Sequence, residues 1–215
     1  MAPKRPAASA ATSASGSGRG REATSARPAA CDKTSANDKG TPKVWPPKVP
    51  LGPFEDVLPL VEADDDSLDT LILPYPGLVG GAGSGSFGPE EVEYICKCLQ
   101  NNTSVTHLNT SFNPLGDQGA AHIASLLAGA SKLPLVRLSL NGCGISAIGA
   151  QALAEGLGEA NVEVVELMNN IIDDEGGEAL LAALQRNKRW KQLQVSFNQI
   201  SDPLQSRIEQ VLRLR

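Results

Sequence analysis

Leu138 to Leu157 reads LSLNGCGISAIGAQALAEGL. Its small or apolar residues stand first two apart, at Leu138 and Leu140, and then four apart, at Gly149, Leu153 and Leu157. A spacing of two puts side chains on one face of a strand, and a spacing near 3.6 puts them on one face of a helix. The segment therefore reads as a strand that turns into a helix within a few residues.

The same switch recurs. Leu135, Leu138, Leu140, Cys143, Ile145, Gly149, Leu153 and Leu157 define a pattern that Val105, Leu108, Thr110, Asn113, Leu115, Gly119, Ile123 and Leu127 follow upstream. Downstream it is followed by Val162, Val165, Leu167, Asn170, Ile172, Gly176, Leu180 and Leu184, and by Trp190, Leu193, Val195, Asn198, Ile200, Leu204, Ile208 and Leu212. The units start near 105, 135, 162 and 190, a period that marks a solenoid. One unit cannot bury its own apolar face, so neighbours must share a core and their strands must pair in parallel across the intervening helices.

The alternation sorts the remaining strand positions. His107, Asn109 and Ser111, then Arg137, Ser139 and Asn141, then Val164, Glu166 and Met168, then Gln192, Gln194 and Ser196 point away from the core and form a candidate partner-binding surface. Phe112, Asn169 and Phe197 add a loop edge, with both phenylalanines expected to pack on a neighbouring turn. The slot of Asn113, Cys143, Asn170 and Asn198 is expected to satisfy backbone groups of adjacent turns. Ser146, Asp173 and Ser201 stand where helix N-caps belong, their oxygens placed to accept from unpaired amides, and Gly116 occupies that slot in the first complete unit. Gly119, Gly149 and Gly176 suit close approach of helix and loop, and Leu204 replaces glycine in the last unit.

With these positions in place, the chain resembles the ribonuclease-inhibitor-like class of leucine-rich repeat. The segments HLNTSFNPLGDQGAAHIASLL, RLSLNGCGISAIGAQALAEGL and ELMNNIIDDEGGEALLAAL carry the resemblance, with Asn or Cys in the turn slot. It covers residues 68–215 and implies an α/β solenoid with parallel strands on the concave side and helices on the convex side. An imperfect unit at 68–104 precedes the four: Leu68, Leu71, Leu73 and Leu78 fit the strand half, and Gly88, Val92 and Cys96 the helix half. The chain departs from the class in the glycine-rich insertion at 80–88, in Thr110 for a leucine, and in the small number of repeats.

Residues 1–50 hold nine Lys/Arg against three acids, a net +6, while the whole chain is −5. Residues 51–215 thus carry −11. Rich in Ala, Ser, Pro and Gly, the first fifty residues cannot bury enough apolar surface to fold, and read as a disordered tail. Their composition also fits an organellar transit peptide, although Pro3 and Pro6 oppose an amphipathic helix. Residues 51–67 are expected to form an irregular N-terminal cap.

Little in the chain points to catalysis. Gly83–Gly88 matches G-x-G-x-x-G, but it begins ten residues beyond Leu73 and lacks the acid about 20 residues on that a dinucleotide site needs. His107 and His122 form no cluster with Cys or carboxylates, and Asp173, Asp174 and Glu175 suit a helix N-terminus better than a metal. Cys96 and Cys98 lack a second ligand pair; Cys96 reads as core and Cys98 as facing elsewhere. No cofactor or metal is expected, and no apolar run is long enough to span a membrane.

The resemblance implies a non-catalytic scaffold or adaptor, monomeric and cytoplasmic, binding a protein on its concave face. The basic tail would tether it to an acidic surface, without reading nucleic-acid sequence. A cytoskeletal role, on actin or on microtubules and axonemes, is the alternative, since tropomodulin uses a short solenoid of this kind on actin. Regulation of a small GTPase, as by the Ran GTPase-activating protein, stands third, and a nucleotide-binding enzyme last.

Overall fold

A computed structural model describes residues 54–73, 87–129 and 133–215, with side chains from Leu58 onward. The basic tail, the proline-rich connector, Leu78 and the Gly83–Ser86 part of the glycine motif lie outside the described residues.

Helix α1 (Phe54–Glu62) opens the described chain and is followed by β1 (Thr70–Ile72) and α2 (Pro89–Leu99). Four strand–helix pairs then succeed one another: β2 (His107–Asn109) with α3 (Gly116–Gly129), β3 (Arg137–Ser139) with α4 (Ala147–Leu157), β4 (Val164–Glu166) with α5 (Asp174–Arg186), and β5 (Gln192–Gln194) with α6 (Asp202–Arg213). The strands form one parallel sheet in sequence order. Leu71, Leu108, Leu138, Val165 and Leu193 meet in register along its centre, each 6% exposed or less. The line-up expected from the repeat is therefore present, and it includes the imperfect first unit.

Each strand is only three residues long, but the ladder continues past it. Thr110 N donates to Ser139 O at 3.0 Å, Leu140 N to Glu166 O at 2.8 Å and Leu167 N to Gln194 O at 2.8 Å. Two residues further, Phe112 N donates to Asn141 O, Gly142 N to Met168 O and Asn169 N to Ser196 O. Turning the chain off the sheet at this point takes left-handed backbone in each of the four complete units: φ is 63° at Phe112, 64° at Gly142, 56° at Asn169 and 58° at Phe197.

The turn asparagines join the units as the spacing suggested. Asn170 Nδ2 donates to Leu140 O at 2.8 Å and Leu167 O at 3.0 Å, while its Oδ1 accepts from Cys143 N at 2.9 Å and Ile145 N at 3.1 Å. Asn198 repeats this against Leu167 O and Ile172 N, and Asn113 accepts from Phe87 N. Cys143 keeps half of the role: its thiol donates to Thr110 O, but sulfur replaces no amide oxygen. Leu115 N bonds instead to Asn113 O within its own turn.

Helix packing follows from small residues. A methyl at Gly149 would come within 2.5 Å of Asp117 Oδ1, and one at Gly176 within 2.9 Å of Ala147 Cα. Gly156 lies directly on the backbone of Ala124, so α3 and α4 approach closely. Leu204 is buried and reaches Gly177 of the preceding helix.

Several details differ from the sequence reading. The 51–67 segment contains a helix, not an irregular cap; Leu58 and Val61, three apart, present one face to the core, and Tyr94 donates to Glu62 at 2.7 Å. Cys98 is buried with Cys96, because α2 is apolar along the whole side that holds Val92, Ile95 and Leu99. Ser146 and Asp173 cap their helices, but Ser201 makes no side-chain cap bond. Packing on a neighbouring turn, expected of both phenylalanines, holds for Phe112, whose ring lies over Gly142 while 53% exposed, but not for Phe197, which is 76% exposed; the residue on its neighbouring rung is Asn169, whose polar side chain offers no apolar platform.

Candidate protein-binding face

The strand alternation that buries Leu108, Leu138, Val165 and Leu193 leaves the residues on either side of each on the opposite face of the sheet. Parallel register then puts His107, Arg137, Val164 and Gln192 in one row, and Asn109, Ser139, Glu166 and Gln194 in the next. Ser111, Asn141, Met168 and Ser196 follow at the strand ends.

Polar groups in these rows bond from rung to rung. His107 Nε2 and Ser139 Oγ are 3.2 Å apart, and Arg137 Nη1 lies 3.2 Å from Glu166 Oε1. Asn141 Nδ2 donates to the second Glu166 oxygen at 3.4 Å, and its Oδ1 accepts from Met168 N at 2.8 Å. Ser111 Oγ accepts from Asn141 N at 3.2 Å. His107 titrates below the ordinary imidazole range, chiefly because burial disfavours the imidazolium and because Arg137 repels it; Glu166 and Asp69 oppose that shift only in part.

Accessibility divides the twelve positions. Arg137, Gln192 and Ser196 are exposed; His107, Asn109, Asn141, Val164, Glu166, Met168 and Gln194 are half-buried; Ser111 and Ser139 are buried. The His107–Ser139 pair has the composition of a base beside a nucleophile, but Ser139 is only 2% exposed and the hydroxyl is not presented to solvent. The basic residues Arg186, Lys188, Arg189 and Lys191 are exposed at the opposite ends of the units, with Lys191 paired to Glu163 at 2.7 Å.

Sequence reasoning missed the acids that tie one unit to the next. Asp117 accepts from Ser146 N at 2.8 Å, Ser146 Oγ at 2.6 Å and Gly149 N at 3.0 Å. Asp174 accepts from Ser201 N at 2.6 Å. The available signal was the recurrence of Asp at one slot, as Asp117, Asp174 and Asp202. Among the described residues, no group of three or more His, Cys, Asp or Glu could hold a metal, and no helix is long and apolar enough to cross a membrane.

The family model described as "Leucine Rich repeat" matches residues 101–124, 132–154 and 160–181. The matched segments are leucine-rich repeats. Among curated proteins it is similar to "NACHT, LRR and PYD domains-containing protein 4E" of Mus musculus, 37% identical over 46% of this chain and 10% of that protein. It is also similar to "NACHT, LRR and PYD domains-containing protein 13" of Homo sapiens, at 33% identity over 45% of this chain and 9% of that protein. The chain thus spans about a tenth of the length of these relatives. Among solved structures, "Leiomodin-1 Actin-Binding Site 2" superposes with a TM-score of 0.58 at 15% identity, over 74% of this chain and 87% of that one. The tropomodulin C-terminal domain of Caenorhabditis elegans gives 0.56 at 13% identity, over 74% and 90%. At such identities the likeness is one of fold.

Proposed function

We propose that the repeats are a non-catalytic protein-binding module whose contact surface is the sheet face from His107 to Ser196. The rung-to-rung network carries this reading. His107 is held by Ser139, and Arg137 and Asn141 by Glu166, before any partner arrives, so binding would order few side chains and lose little entropy. Arg137 and Met168 supply the guanidinium and the flexible apolar contact common at interfaces. A photo-crosslinking residue at Gln194 or Met168 should capture a protein in the native cell, whereas one at the exposed helix position Gln185 should not. Equal capture from both sides would refute the assignment.

A second reading has its own support. The leiomodin-1 domain is described as an actin-binding site, and its fold matches over most of both chains. Under this reading the partner is actin and the location cytoplasmic and cytoskeletal. Co-sedimentation with filamentous actin tests it, and a chain that stays in the supernatant at every ratio rules it out. Neither microtubule binding nor GTPase regulation has a comparable observation behind it.

A further inference from the structure

The edge of the sheet where the strands end is a separate surface, and it has an unusual composition. Segments 111–118, 141–148, 168–175 and 196–203 make up this edge, their loops stacked by backbone bonds such as Gly116 N to Cys143 O and Ile171 N to Ile145 O. They contain five acids, Asp117, Asp173, Asp174, Glu175 and Asp202, and no Lys or Arg. The basic cluster Arg186, Lys188, Arg189 and Lys191 lies at the opposite ends of the units.

Four large apolar side chains are exposed on this edge: Phe112 at 53%, Ile148 at 69%, Ile171 at 52% and Phe197 at 76%. Between the two aromatic positions lie Gly142 and Asn169, on successive rungs. Phe112 and Phe197 both adopt left-handed backbone, where glycine or asparagine fits with less strain and where the neighbouring units do use Gly142 and Asn169. The core receives neither ring: Phe112 lies over Gly142 and is still 53% exposed, and Phe197 is 76% exposed. With rungs about 4.8 Å apart, the two rings stand roughly 14 Å apart, the span of four or five extended residues.

An exposed apolar edge whose segments carry acids, most of them in the last two units, and no lysine or arginine fits one class of occupant. We propose that this edge docks a protein segment that presents a large apolar side chain flanked by lysine or arginine. The segment runs along the edge between Phe112 and Phe197, its apolar side chain packing on an exposed ring, and Asp173, Asp174, Glu175 and Asp202 attract the flanking charges.

The test is selection of a random peptide library on the full chain, followed by titration of the most enriched labelled peptide by fluorescence anisotropy. Enriched peptides should carry an aromatic or large aliphatic residue between basic ones, and should bind more weakly as salt rises. The double variant Phe112→Gly, Phe197→Gly should lose about tenfold or more in affinity. Glycine relieves both left-handed turns, but Phe112→Gly also gives up the ring's packing on Gly142; the single variant Phe197→Gly should therefore weaken binding with thermal stability unchanged or higher, which separates lost binding from lost folding. Enrichment of acidic or charge-free peptides, no enrichment at all, or equal affinity for the double variant would overturn the proposal.

Discussion

Replacing Asn170 by alanine should be among the most damaging single changes in the described repeats. The side chain is 6% exposed and bonds to two units at once. Its Oδ1 is the partner of two buried amides, Cys143 N and Ile145 N, and its Nδ2 serves Leu140 O and Leu167 O. Alanine abandons both amides in a place water does not reach. At about 1–3 kcal/mol for each unsatisfied buried group, the cost is about 2–6 kcal/mol, a large share of the roughly 5–15 kcal/mol that holds a domain folded. Asn170→Cys should cost less, because Cys143 shows that a thiol in this slot still donates to the preceding unit. Equilibrium urea unfolding followed by circular dichroism gives the free energies. Native-state hydrogen exchange should show faster exchange at Cys143 and Ile145 than at amides of α6. A loss under about 0.5 kcal/mol, or unchanged exchange at those two amides, would refute the view that the asparagines rivet neighbouring turns together.

Other perturbations probe other layers. Leu138→Asp should unfold several units together, since Leu138 pairs with Leu108 on one side and Val165 on the other; hydrogen exchange confined to β3 would contradict a shared core. Gly142→Ala should cost about 1–2 kcal/mol in a thermal melt, because φ is 64° there and the new methyl would sit 2.7 Å from the Phe112 ring. Thr110→Val should raise the urea midpoint, because the Thr110 hydroxyl is buried with only the Cys143 sulfur, a weak acceptor, beside it. Burial pushes the Cys96 thiol up to about 12 and Cys143 to about 11, from an ordinary value of 9.0. Folding favours the neutral thiols, so their contribution is complete below about pH 9 and is lost as pH rises through those values. Urea midpoints measured from pH 8 to 11 should fall, and rapid labelling of either thiol in the native protein at pH 8 would contradict their burial.

The architecture was legible because it depends on spacing alone. A change from period two to period four, repeated at intervals of 27 to 30 residues, fixes strand, turn and helix in each unit, and a unit with one apolar face must stack. Leu71 therefore took its place beside Leu108 despite the irregular unit around it. Helix α1 was less legible because one short amphipathic segment has no repeat to reinforce it, and Pro59 lies within it.

The candidate face was legible as a set of positions but not as a surface. Alternation in the sequence selects His107, Ser139 and Glu166 as outward-facing, yet whether an outward side chain is exposed depends on what the neighbouring rung supplies. Arg137 and Asn141 both reach Glu166 across the sheet, and Ser139 is covered while pairing with His107. The same limit applies at the edge. The order of residues determined that this protein is a stack of strand–helix units with asparagine-lined turns, because backbone geometry and apolar periodicity are local properties. Only the tertiary structure decided that Asp117 holds the helix of the next unit and that Phe112 and Phe197 stand exposed along one acidic rim, because residues about 30 positions apart touch, and residues about 85 apart share an edge, only once the units are stacked.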